Sequence, residues 1–223
     1  MNQELFKQAL TKFFAGLIAV GLLLFLPAWT FRYPQGWLLI IILFVPMFIA
    51  GLIMIRNNPE LLRKRLNAKE EEPEQRTVIL FSGIMFLAAF ISAALSFRFK
   101  FLMLPWAVSV VGAVLFLSAY ALYAEVLREN TFLSRTIEVQ EDQKVIDTGL
   151  YGIVRHPMYM ATVLLFLSMP LVLGSVLSFV IMLFYIPIIV KRIQNEEEVL
   201  AEGLAGYAEY KDKVKYRMIP FIW

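Results

Sequence analysis

Long stretches without a single charged residue alternate with short polar ones along this chain. Charge-free runs cover 13–31, 33–55, 77–97 and 101–124, and a longer one covers 157–190. A helical pass through a bilayer core about 30 Å thick needs roughly 20 apolar residues, so each of the first four runs predicts one membrane helix. The fifth run, 34 residues long, has a middle that reads SMPLVLGS. There Pro170 and Gly174 predict an interruption and a turn, giving a helical hairpin with arms of about 15 residues. The expected fold class is therefore all-α: a polytopic transmembrane helical bundle with five or six membrane helices, the last two a helical hairpin, and a cytoplasmic C-terminal helix.

Composition agrees with the pattern. Of the 223 residues 60% are apolar and 17% charged, outside the range of soluble globular domains. There is no cysteine, which removes disulfides, thiolate metal sites and a thiol nucleophile, and a single histidine cannot build a histidine-rich metal centre. The first run has lysines ahead of it but no small-x-small cleavage site, and is expected to stay as an uncleaved helix.

Charge then orients the bundle. The loop after the second run carries Arg56, Arg63, Lys64, Arg65, Lys69 and Arg76, against Arg32 alone in the first loop and Arg98 and Lys100 in the third. By the enrichment of basic residues in cytoplasmic loops, both termini and the segment Arg128 to Arg155 are expected in the cytoplasm. The same distribution accounts for the net charge of +3 without nucleic acid. Within the basic loop, Asn58 and Pro59 open a short helix whose Leu61, Leu62 and Leu66 form a stripe suited to the membrane surface. A second polar helix, VKRIQNEEEVLAEGL, continues the last apolar arm into water.

The lone histidine sits in YGIVRHPMY, at the start of the longest run. Proline keeps the residue before it out of helical geometry, so His156 is pinned in a turn while Pro157 begins the next helix. The amide groups and dipole of that first turn favour an anion, Arg155 adds a cation, and Tyr151 and Tyr159 offer flat faces suited to an aromatic ring or a sulfonium. The same residue types also serve as plain anchors at the headgroup level. In KRIQNEEEVL, Arg192 and Glu196 share a helix face, which fits an ordinary surface pair or part of a site. The hairpin brings these charges back beside His156, although about 40 residues separate them.

The stretch GLYGIVRHPMY, the apolar hairpin, RIQNEEEVL and GYAEYKDKVKYRMIPFIW together resemble the isoprenylcysteine carboxyl methyltransferase family in its prokaryotic form, over roughly 136–223. The resemblance implies an integral membrane enzyme that transfers methyl from S-adenosylmethionine, leaving S-adenosylhomocysteine, with no metal. It places cofactor contacts on Gln143, Lys144, Val145, Ile146, Tyr151, His156, Pro157, Met158, Tyr159 and Glu196, and the substrate-binding, catalytic arginine on Arg192. Arg155 and Glu197 are expected to join the cofactor site as their neighbours. The chain then divides into 1–127, transmembrane helices on the acceptor and lipid side, and 128–223, a region similar to that family's catalytic part.

The partners expected are a lipophilic small-molecule or prenylated acceptor and membrane lipids, with no nucleic acid and no obligate protein partner. Direct displacement on a carboxylate needs alignment rather than a base, because the acceptor is already ionised. Alternatives are an amine acceptor such as a phospholipid headgroup, for which Glu197 or Glu198 would act as base, and a reductase that uses NADPH, as sterol-reductase-like membrane proteins do. A third is a lipid-binding or scaffolding protein without chemistry.

Overall fold

Helices form where the charge-free runs predict them. The structure, a computed structural model, describes residues 3–66, 73–133, 137 and 139–223, with the backbone alone at 73–76. Lys69 of the basic loop lies outside the described residues, and Arg76 is described only in its backbone. Four long helices come first or enclose a short one: α1 (Gln3–Ala28), α2 (Pro34–Asn57), the short α3 (Pro59–Leu66), α4 (Pro73–Phe99) and α5 (Trp106–Glu129). A 3-10 turn (Gly149–Gly152) leads to α6 (Pro157–Leu173), α7 (Val176–Met182), α8 (Tyr185–Gly203) and α9 (Tyr207–Lys213). No strand occurs among the described residues. Five stretches are long and apolar enough to cross a membrane, the last being Val176–Gly203 across α7 and α8, and α6 is a shorter apolar helix beside them. The protein is a multi-pass membrane protein, and its outward Ile18, Leu22, Leu80 and Val114 are more than half exposed, as lipid-facing side chains are.

The hairpin forms, but its turn differs from the expectation. Pro170 does not interrupt α6, which runs through it to Leu173. In the last helical turn its carbonyl accepts from the Ser175 amide (3.0 Å) while Gly174 N donates to Leu171 O (3.0 Å). This is the six-to-one and five-to-two closure that a left-handed glycine permits, and Gly174 has φ +68°. The interruption falls instead in the second arm, at Leu183 and Phe184. Pro187 has no amide for the Leu183 carbonyl and its ring crowds that group, so α8 restarts at Tyr185.

The two arms also diverge. The α6 helix packs chiefly on α5, whereas α7 and α8 lie against α4. The far end is held by Leu104 N to Gly174 O (2.8 Å), Val176 N to Leu102 O (3.1 Å) and Tyr33 Oη to Leu173 O (3.1 Å).

The short basic-loop helix α3 does begin where expected, with Asn58 Oδ1 accepting from Leu61 N (3.1 Å). Its apolar stripe is not spread on a membrane surface, however. Leu61 and Leu62 are each 5% exposed and pack inward, α3 lying against α2 and α1. Burying them against protein removes the same apolar area from water as lipid would, and it also fixes the direction of Lys64 and Arg65. Lys12 of α1 reaches the Leu66 carbonyl and Arg65 bonds Tyr123 of α5. The start of α1, α3, the end of α5 and the residues that follow it therefore share one face of the bundle.

Candidate active site

At that face the chain re-enters the bundle through the His156 turn. His156 is the N-cap of α6 with φ −125° and ψ 59°, and Pro157 takes the first helical position. The backbone amides of Arg155 and His156 are not free for an anion. They donate to Tyr216 O (2.9 Å) and Arg217 O (2.7 Å), so the carboxy-terminal strap runs alongside the turn and occupies the donors that the sequence leaves open.

Behind the turn lies Glu197, 3% exposed, at the centre of three basic side chains. Its Oε1 accepts from Arg155 Nε (2.7 Å) and lies 3.2 Å from His156 Nε2, and its Oε2 accepts from Arg217 Nε (2.9 Å). Arg155 further donates through Nη1 to Val214 O (2.6 Å) and Lys215 O (2.9 Å). One buried carboxylate therefore joins α8, the His156 turn and the strap. Removing one member of such a cluster leaves uncompensated buried charge, which makes it a strong clamp.

Consecutive residues of a helix point about 100° apart, and Glu196 faces the other way. Its Oε2 accepts from Tyr159 Oη, and Arg192 Nε donates to the same hydroxyl at 3.0 Å. Arg192, Tyr159 and Glu196 thus form a connected row along the mouth of a cleft. The cleft is partly open to solvent. Its lining includes Gln143, Lys144, Val145, Ile146, Tyr151, Arg155, His156, Met158, Tyr159, Arg192 and Glu196. Of the residues expected at the site, Pro157 and Glu197 do not line it. Pro157 is buried in the first turn of α6, and Glu197 is spent on the arginine cluster, where it cannot act as base toward a cleft-bound amine.

Several elements hold the walls in place. Glu129, at the end of α5, accepts from Leu150 N (3.0 Å), and a Cβ on Gly149 (φ +54°) would fall 1.8 Å from its Oε1, so only glycine fits beneath that carboxylate. Gln143 Oε1 accepts from Gln140 N (2.8 Å), closing the turn that presents 143–146. Lys64 bonds Gln140 and lies over the Phe132 ring (5.7 Å), and Arg65 Nη1 lies 3.9 Å from Met158 Sδ and over Tyr123 (5.4 Å). The connector α3 is therefore a brace for both sides of the cleft.

Tyrosines also line the cleft. Burial pushes the phenols of Tyr151, Tyr207 and Tyr210 upward, so all three remain protonated donors at ordinary pH. Tyr210 Oη donates to Tyr151 O (2.8 Å). Among the described residues no group of three or more His, Asp or Glu side chains is placed as metal ligands would be.

Residues 110–202 match the sequence profile of the isoprenylcysteine carboxyl methyltransferase (ICMT) family. The match covers less than half of the chain. The matched region begins inside α5 and ends in α8, so it contains both arms of the hairpin, the His156 turn and Glu196. The chain is also similar to the Delta(14)-sterol reductase TM7SF2 of Mus musculus, 29% identical over 91 residues. That alignment covers 40% of this chain and only 22% of the mouse protein.

Sequence reasoning missed Asn130, Phe132, Leu133, Ile137, Leu200, Leu204, Tyr207 and Tyr210, which complete the cleft lining. The pair Tyr207 and Tyr210 carried a signal: two tyrosines three apart share a helix face, and the rest of that segment is polar. The apolar residues after Asn130 carried none, because no helical or strand period orders them.

Proposed function

We propose that the chain is an integral membrane, S-adenosylmethionine-dependent methyltransferase acting on a carboxylate of a lipid-like or isoprenylcysteine-type acceptor. The observation that carries this reading is the fold-back of the hairpin, which puts the His156 turn and Glu196, far apart in sequence, on one cleft at the mouth of a membrane bundle. The cofactor fits the residues present. A carboxylate suits ribose hydroxyls, and aromatic faces suit a base and a sulfonium.

When bound, the cofactor supplies an electrophilic methyl group, which forms a bond to an acceptor oxygen while sulfur keeps the electron pair of the bond that breaks. The protein's part is to hold and align. Glu196 and the wall at 143–146 hold the nucleoside, and Tyr159 fixes Glu196 and Arg192 relative to each other. Arg192 holds the acceptor carboxylate, whose charge needs no base to develop it. Water is excluded by the tyrosine rings along the cleft and by the strap behind Glu197. With Arg192 at the end of the membrane-embedded part of α8, an acceptor keeps its apolar tail in lipid while presenting its carboxylate. The positive-inside pattern supports a cytoplasmic mouth.

A reductive reading takes its support from the similarity to the sterol reductase. A nicotinamide dinucleotide phosphate would bring three phosphates to the cleft. Of the arginines there, Arg155 is committed to Glu197 and the strap, which leaves Arg192 as the arginine to meet them. A cationic sulfonium facing Glu196 is the better electrostatic match.

Titrating the full chain in lipid nanodiscs with S-adenosylhomocysteine and with NADPH separates the two. Binding of the first, lost in Glu196→Ala, is the expected result. Binding of NADPH alone overturns the proposal.

A further inference from the structure

The Tyr207 hydroxyl has no part in the reading above. It opens α9, and its ring sits in an apolar cluster with Leu204, Tyr210 and Val214, packed against Val139, Val145 and Leu200. The side chain is 4% exposed, yet its hydroxyl is buried without a hydrogen-bond partner. Native proteins rarely leave such a group unmet, because the lost hydration is not repaid. The neighbouring Tyr210, in the same cluster, does satisfy its hydroxyl, on Tyr151 O. This part of the fold can therefore accommodate a phenol fully, and does not do so at Tyr207.

Both tyrosines line the cleft with Val145, Leu200 and Leu204, and what distinguishes Tyr207 is that its hydroxyl is the unmet one. These residues give the cleft an apolar wall beside the row of Arg192, Tyr159 and Glu196, Leu200 following Glu196 by one helical turn. A nucleoside suits such a place: its ribose hydroxyls fit the Glu196 carboxylate, and its flat base fits an apolar wall with one polar group. Burial, and after it the nearby Glu197 and Glu196, hold the Tyr207 proton on, so the hydroxyl is a donor toward acceptor atoms of a ligand.

We propose that Tyr207 Oη is a binding contact for the adenosine half of the cofactor, the ligand supplying the hydrogen-bond partner that the protein withholds. The proposal rests on the cofactor assigned above. It makes the Tyr207 hydroxyl a group that weakens the empty protein and strengthens the loaded one, which no purely structural tyrosine does.

The test uses the full chain in nanodiscs, titrated with S-adenosylhomocysteine and with 5′-methylthioadenosine, which keeps the nucleoside and lacks the amino-acid arm. Thermal melts are recorded with and without ligand. For Tyr207→Phe both affinities are expected to fall by the same factor, about 5- to 10-fold. The ligand-free melt is expected to stay or rise, since the unpaired group is gone. Tyr210→Phe, which loses a satisfied bond, is expected to melt lower without ligand. Failure of the wild type to bind S-adenosylhomocysteine sinks the cofactor reading and this inference with it. Wild-type binding with unchanged affinity in Tyr207→Phe sinks the inference alone. So does a loss confined to S-adenosylhomocysteine, a wild type that ignores methylthioadenosine while holding S-adenosylhomocysteine, or a Tyr207→Phe protein that melts lower when empty.

Discussion

The α6 helix meets its two neighbours in opposite ways. Against α5 it makes a dry seam: Gly112 brings the backbones so close that a Cβ there would lie 2.7 Å from Val172 N, with Phe116 and Ala119 fully buried nearby. Against α8, its partner in the hairpin, it packs sparingly through the apolar part and is joined at the mouth by Tyr159 to Glu196 and by His156 and Arg155 to Glu197. In lipid there is no hydrophobic drive between apolar helices, so close backbone approach holds one interface and polar contacts hold the other. The interface that carries polar side chains is the one with room between its helices, and that is where a ligand can lie. Rigidity and chemistry are thus divided between the two faces of a single helix.

Breaking the polar side is expected to have the largest effect. Glu197→Ala strands Arg155 in a buried position and should cost about 3–5 kcal/mol, read as a lower melt and as new protease cleavage near 214–217. A normal melt would show that the cluster is no clamp. On the dry side, Gly112→Ala should cost about 1–3 kcal/mol through overpacking, while protein that still folds keeps its ligand affinity. Equal losses of stability and affinity there would erase the division between the two faces. Glu196→Ala is the converse case: S-adenosylhomocysteine binding should weaken by at least about tenfold, roughly 1.4 kcal/mol, with a smaller change in the ligand-free melt than either preceding variant. The smallest effect belongs to Asp147, whose carboxyl Lys213 (2.6 Å) holds below the usual range. A lowered folded-state value means that its contribution is present above the ordinary carboxylate range and fades as pH falls. Because both groups are exposed and screened, Asp147→Asn should leave the melt at pH 7 and about 0.15 M salt unmoved.

The bundle was largely legible because charge-free length is a local property: each run reports its own pass, and a proline after histidine reports a helix start without help from the rest of the chain. The meeting of His156 with the acidic residues was legible too, since a hairpin brings its ends together whatever its arms contain. Which of two adjacent glutamates faces the cleft was not. That depends on the rotation of α8, and the restart at Tyr185 caused by Pro187 resets the rotation. The amides of the His156 turn looked available because nothing in a sequence announces that carbonyls some 60 residues downstream will occupy them. Likewise Leu61 and Leu62 make the same stripe whether lipid or protein covers it, so the bracing role of α3 emerges only from its neighbours.

Consider finally the strap over the His156 turn. A ribosome delivers Arg155 and His156 well before Tyr216 and Arg217, and until the later pair emerges Glu197 lacks one of its cations and the turn lacks its backbone partners. The helices can insert in order as they are made, but the catalytic mouth is assembled last. A newly synthesised chain therefore passes through an interval in which it is already embedded in the bilayer and not yet competent, and anything that delays or clips 214–217 prolongs that interval without disturbing insertion.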